Sequence, residues 1–128
     1  MSPTGKPPGV AAGEVFFPMW DPAEMQDRPL AGVSGVLTER RGCLFLVSPD
    51  ADVLLLWEGG YSYMDGLLLG SSGQPVVRVG DFLHGTGGYG SDWEWAEEIV
   101  GEPIPMRCRP DRAEPIALIY DVQPGRGP

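Results

Sequence analysis

Apolar residues fall along the chain in short stretches of two kinds. Val33, Gly35 and Leu37 alternate with Ser34, Val36 and Thr38, whereas Cys43 to Val47 and Val53 to Trp57 are unbroken apolar runs. Alternation marks a strand with one buried face, and a short unbroken run bounded by turn residues marks a strand covered on both. Glu39 to Gly42 is a polar turn between the first two stretches and predicts a hairpin, while Ser48-Pro49-Asp50-Ala51-Asp52 turns the chain into the third. Glu58-Gly59-Gly60 ends that strand. Leu67 to Leu69, Pro75 to Val79 and Phe82 to His84 follow as shorter strands, separated by Gly70-Ser71-Ser72-Gly73 and a bend at Gly80-Asp81. Toward the end, Ile104, Met106 and Cys108 alternate with Pro105, Arg107 and Arg109, predicting a half-buried strand that Pro103 and Pro105 mark as an edge. Ile116, Leu118, Tyr120 and Val122 alternate with Ala117, Ile119 and Asp121 and predict the last strand.

Helical signals are few. Ser91-Asp92-Trp93-Glu94 reads as a capping box, with acidic groups at the positive end of the helix dipole and Gly101 as the left-handed stop, so a helix is expected over 92–100. At about 100° per residue its Trp95, Ile99, Ala96, Val100 and Trp93 share one arc, and Glu94, Glu97 and Glu98 the other. The apolar arc is expected to close an end of the sheet and the glutamates to face a basic partner. Upstream, Phe16, Phe17, Met19 and Trp20 form an apolar patch, and Asp21-Pro22-Ala23-Glu24 offers an N-cap, a first-turn proline and a capping glutamate for one or two helical turns before Pro29. Residues 14–30 thus read as a covering segment. The pattern predicts an all-β, mainly antiparallel fold, a small OB-like barrel or rolled sheet of about six to seven short strands with one helix. Residues 14–123 form the single domain, 1–13 a flexible N-terminal arm and 124–128 a flexible tail.

Composition sharpens this picture. The 128 residues include 19 glycines and 14 prolines, which leaves little room for long helices. No apolar run approaches the roughly 18 residues of a membrane span, and Met1 to Gly13 lacks the apolar segment of a secretory signal, so a cytoplasmic protein is expected. Its net charge of -9 opposes phosphate backbones and anionic membranes. Cys43 and Cys108 both fall in apolar stretches and are expected to be buried reduced thiols, a single bridge between them being the alternative. Eight arginines against Lys6 alone, with the glycine, proline and alanine content, suggest a GC-rich bacterial genome.

Gly35-Val36-Leu37, Gly42-Cys43-Leu44, Leu55 to Trp57 with Gly59 or Gly60 behind, Val77-Arg78-Val79-Gly80-Asp81 and Gly87-Gly88 together resemble a family of small, uncharacterised β-barrel proteins from GC-rich bacteria. The likeness covers about residues 32–90, with Glu58 standing where that family usually has proline. These motifs are glycines, apolar residues and one turn aspartate, so the resemblance implies a barrel scaffold and brings no activity with it.

Candidate chemistry is sparse. Gly85-Thr86-Gly87-Gly88-Tyr89-Gly90 fits G-x-G-x-x-G and has Asp111 about twenty residues on, but only a short helix and no further βαβ unit follow, so it reads as a flexible loop at the barrel rim. His84 is the one histidine; paired in space with Cys43 or Cys108 it would make a nucleophilic dyad, although apolar surroundings disfavour a thiolate. Asp50 and Asp52 lack a third metal ligand, and no Cys or His spacing fits zinc. Arg107, Arg109 and Arg112, with Arg40 and Arg41, would form a basic stripe for single-stranded nucleic acid, but Glu94, Glu97, Glu98 and Glu102 offer internal partners. We therefore expect no catalytic residues, cofactor or metal, and a non-catalytic acidic barrel that holds a protein partner or small ligand through its rim and helix. Its contact candidates are Trp95, Glu94, Glu97, Glu98, Tyr89 and His84. The alternatives are an OB-like single-strand binder and a Cys/His-dependent transferase or hydrolase.

Overall fold

A computed structural model describes residues 15–25, 27, 29–49, 51–110 and 115–125. The N-terminal arm, Asp50, Asp111, Arg112 and 126–128 of the tail lie outside these residues. Strands are β1 (Met19–Trp20), β2 (Ala31–Arg40), β3 (Cys43–Ser48), β4 (Ala51–Glu58), β5 (Ser62–Met64), β6 (Leu67–Leu69), β7 (Pro75–Arg78), β8 (Phe82–Gly90) and β9 (Ile116–Pro124), with one α-helix, α1 (Trp93–Val100).

The fold is all-β around a closed ring. β2 pairs antiparallel with β3, β3 with β4 and β8 with both β2 and β9; a parallel pairing of Leu54–Trp57 with Ile116–Ile119 joins β4 to β9 and completes the ring of five. Because side chains alternate along a strand, β3, β4 and β9 each serve two cores, while β2 and β8 serve the inner one. Leu44, Leu46, Val53, Leu55, Trp57, Leu83, Ala117 and Ile119 point inward to one buried cluster with Val33 and Leu37. Their neighbours Cys43, Phe45, Leu54, Leu56, Ile116 and Leu118 point outward into a second. This accounts for the unbroken apolar runs, since in Val53 to Trp57 every residue is buried on one side or the other.

The second core is covered by three pieces of chain. Phe16 donates its N–H to Gly42, Trp57 to the Pro18 carbonyl and Gly59 to the Trp20 carbonyl, so residues 16–20 run from β3 across to β4 and bury Phe16 and Trp20. A single 3-10 turn, Pro22–Glu24, follows with Asp21 as its cap, shorter than the one or two turns expected. α1 adds Ala96, with Trp93, Ile99 and Val100 at the margin. The helix therefore covers a face of the ring rather than an end. The antiparallel meander β5-β6-β7 contributes Leu68 and Val77 to the inner core.

Four local expectations are corrected. Residues 104–109 form no strand: Met106–Cys108 is a 3-10 turn, because Pro103 and Pro105 remove ladder donors and Cys108 is drawn inward to Cys43. The cysteines are not free thiols but a disulfide, with Cα atoms 5.6 Å apart, well within bridging range. The glycine-rich segment is no rim loop; Thr86 to Gly90 pair residue by residue with Tyr120 to Ile116. At the other end of β9, Pro124 pairs with Leu83 and Gly125 donates to the Phe82 carbonyl at 2.9 Å, so the strand extends into the expected tail.

Candidate functional site

The α1 start lies one residue beyond the expected capping box, with Asp92 rather than Ser91 as the N-cap. Asp92 Oδ1 accepts from the Trp95 N–H at 3.1 Å, and Gly101 closes the helix at φ 77°. With Ala96 locked against the ring, Trp93 falls inward, where the Arg109 guanidinium lies 5.0 Å from its ring centroid. Trp95 falls outward and remains 37% exposed. It stands over a cleft of about 190 Å³ lined by Trp20, Asp21, Glu24, Met25, Glu98 and Ile99. On its other flank an open depression of about 430 Å³ is bounded by Asp92, Glu94 and Glu98.

Five carboxylates thus surround one exposed indole, and among the described residues no lysine or arginine lines either hollow. Two of the five are engaged as caps, Asp92 on Trp95 and Asp21 on the Ala23 N–H at 2.9 Å. The floor is rigid, because the Trp20 indole N–H donates to the Leu56 carbonyl at 3.0 Å inside the outer core. Four of the described arginines are committed elsewhere. Arg109 pairs with Glu97 at 2.8 Å, Arg40 with Asp52 at 2.9 Å, and Arg41 and Arg107 each donate to the other's carbonyl.

Of the six contact candidates, Trp95, Glu94 and Glu98 come together here. Glu97 does not: Oε2 accepts from the Ile104 N–H at 2.7 Å and from Arg109, tying α1 to the following loop. Tyr89 and His84 are exposed on β8 and line neither hollow. Asp21, Glu24 and Met25 were not anticipated as partners of the helix. Their own cap motif is visible in sequence, but some seventy residues separate them from Trp95, and only the crossing of 16–20 over the outer core brings them near.

A cysteine nucleophile finds no support in this geometry. Both sulfurs are bridged, and His84 faces Ser34 on β2 while Cys43 faces Arg40, six residues further along the same strand. At the usual rise per residue that is about 20 Å. Among the described residues, no three or more His, Cys, Asp or Glu side chains gather as metal ligands, and no helix is long and apolar enough to cross a membrane. Comparisons with protein-family models, with curated proteins and with solved structures find no match for this chain.

Proposed function

We propose that this protein is a non-catalytic binding module whose helix face receives a basic segment of a partner protein. The observation that carries the reading is the exposed Trp95 ringed by Asp21, Glu24, Asp92, Glu94 and Glu98, with no lysine or arginine beside them among the described residues. An arginine or lysine stacked on the indole gains cation–π attraction while the carboxylates accept its N–H groups, and a neighbouring apolar side chain fits the cleft between Met25 and Ile99.

An OB-like kinship, and with it the barrel family resembled by residues 32–90, is part of the same proposal. The ring order β2-β3-β4-β9-β8, with the third strand beside the fifth, supports it. In such barrels the second and third strands and the loops beside them receive single-stranded nucleic acid. Here the outer sides of β3 and β4 carry the second core, and the Cys43–Cys108 bridge clasps the start of β3 to the loop before β9. That covering favours a protein partner over an oligonucleotide. The bridge also favours an oxidising compartment over the cytoplasmic placement expected from the sequence.

Fluorescence anisotropy of a labelled peptide alternating arginine and leucine tests the reading. Binding should weaken about tenfold or more in Trp95→Ala and fall with added salt. Equal binding of a glutamate–leucine peptide, or an unchanged affinity in Trp95→Ala, would overturn it, and tight binding of a single-stranded oligonucleotide would favour the alternative.

A further inference from the structure

Arg107 stands beside the disulfide with a donor that meets no acceptor. Arg41 and Gly42 carry β2 into β3 with φ 54° and 73°, and the Arg41 carbonyl oxygen lies 3.4 Å from Cys43 Sγ. Arg107 Nε donates to that same oxygen at 2.9 Å, and Arg41 Nε returns a bond to the Arg107 carbonyl at 3.0 Å. The Arg107 guanidinium is therefore a neighbour of the Cys43 sulfur. Its Nη2 is buried and, among the described residues, finds no hydrogen-bond partner. A buried cationic N–H without an acceptor is costly, and in a native fold a redox role is one of the few reasons for keeping one.

A bridged sulfur accepts hydrogen bonds weakly, whereas a thiolate accepts them strongly and carries the charge a guanidinium complements. Reduction of the bridge thus supplies Arg107 Nη2 with the acceptor it lacks. The outer core around Cys43 is apolar and opposes a thiolate, so the guanidinium is what offsets that cost. The two sulfurs differ in anchorage: Cys43 belongs to β3 of the ring, and Cys108 to the 3-10 turn Met106–Cys108. Both are fully buried, so a reductant reaches them only when the 104–109 loop lifts. A dithiol then attacks Cys108 Sγ, the S–S bond breaks, and its electron pair leaves on Cys43 as the thiolate beside Arg107. The second thiolate of the reductant attacks the mixed disulfide, closes the reductant's own S–S bond and releases Cys108, which takes up a proton. Two electrons pass from dithiol to bridge; of the dithiol's two protons one goes to Cys108 and the other to solvent.

We propose that the Cys43–Cys108 bridge is a reducible latch on the outer layer, with Arg107 holding the released Cys43 thiolate. Closed, it clasps the 104–109 loop and, through the bonds of Glu97 to Ile104 and Arg109, steadies α1; opened, it frees both while the ring ladder stays shut. Its effect on peptide capture rests on the helix-face reading, and the thiol chemistry does not. The full chain is equilibrated with graded ratios of reduced to oxidised dithiothreitol, trapped by alkylation and weighed by mass spectrometry. The bridge should open at ratios about tenfold or more lower than in Arg107→Gln, with Arg107→Lys between the two. A merely structural Arg107 predicts the opposite order, since losing its bond to Arg41 loosens the oxidised loop. At neutral pH the ultraviolet thiolate absorbance of the reduced chain should correspond to one sulfur and vanish in Arg107→Gln. Amide exchange in α1 and residues 104–109 should accelerate about tenfold or more on reduction, ahead of β3, β4 and β9, and reverse on reoxidation, with capture of the arginine–leucine peptide weakening in step. The proposal falls if the folded chain resists dithiothreitol, if Arg107→Gln opens as readily as the parent, if the reduced chain shows no thiolate at neutral pH, or if exchange in the layer ignores reduction. An oxidised chain that fails to bind the peptide while its layer responds as described overturns the helix-face reading and leaves the latch standing.

Discussion

Gly87 and Gly90 lie three residues apart on β8 in one glycine-rich segment, yet they answer to different demands. A Cβ on Gly87 would overlap the Leu118 carbonyl of β9, whereas a Cβ on Gly90 meets nothing within 4 Å. Gly87→Ala should therefore cost about 3 kcal/mol or more, since β8 or β9 must give way, and Gly90→Ala should stay within about 1 kcal/mol of the parent. Urea denaturation of the two variants checks this. Gly85 and Gly87 so serve close strand approach, a demand that accounts for two glycines of the nucleotide-like motif without a ligand. Two phenols set a second test at this scale. Burial, together with the hydrogen bond to Glu39 and its charge, raises the Tyr63 pKa, and burial first raises that of Tyr61. Above the ordinary phenol value of 10.0 the unfolded chain releases protons that the fold retains, so the unfolded state binds fewer and stability falls as pH rises. The contribution is fully present below that value. Melting temperature should drop on the alkaline side, and Tyr63→Phe should flatten the drop.

The α1 helix shows how one element divides its residues between fold and function. Trp93 is half-buried against Arg109 and the outer core, and Trp95 projects over the acidic cleft. Trp93→Ala should cost about 2 kcal/mol, less than a fully buried tryptophan, while Trp95→Ala should stay within about 0.5 kcal/mol and lose the basic peptide. Melting curves of the pair, read beside peptide affinity, decide this. The acidic start, glycine stop and amphipathic arc of this helix were legible because they are local signals, and with them came Trp95, Glu94 and Glu98, although the cap is Asp92 and not Ser91. Glu97 was misplaced because its partners, Ile104 and Arg109, come from a loop whose path no periodicity describes. The same loop read as a strand from its alternating apolar residues, although its prolines and the pull of Cys108 toward Cys43 impose a 3-10 turn. Strands of the ring were legible for the opposite reason: double burial leaves Val53 to Trp57 no polar residue to obscure the run. The β9 bulge, where Asp121 and Val122 together oppose Gly85, was invisible, since an aspartate between Tyr120 and Val122 fits the outward position of an ordinary alternating strand.

At the scale of the molecule, two cores share β3, β4 and β9, and a single disulfide joins the outer layer to the ring. The inner core is closed by a ring of hydrogen bonds; in the outer layer residues 16–20 are tied to β3 and β4 by backbone hydrogen bonds, whereas α1 and the loop to β9 lie on the ring mainly through side chains. Cys43 belongs to β3 and Cys108 to that loop, so the bridge fastens the outer layer to the ring across 65 residues of sequence. A closure of that length removes unfolded-state entropy worth about 4 kcal/mol in the chain-entropy view. Replacing both cysteines with alanine should therefore lower stability by about 2–4 kcal/mol. The loss should not be uniform. Without the clasp, the 104–109 loop is held among the described residues by Glu97, the Arg109–Trp93 contact, the exchange between Arg41 and Arg107 and the burial of Ile104. Amide exchange in α1 and residues 104–109 should accelerate before that of β3, β4 and β9, because partial opening of the layer leaves the ring ladder intact. Trp95 stands on that layer, so peptide affinity should decline with the same variant even at temperatures where the ring is folded. Hydrogen exchange read residue by residue distinguishes this from a global effect: equal acceleration in ring and layer would mean that the bridge stabilises the chain as a whole and does not secure the helix face.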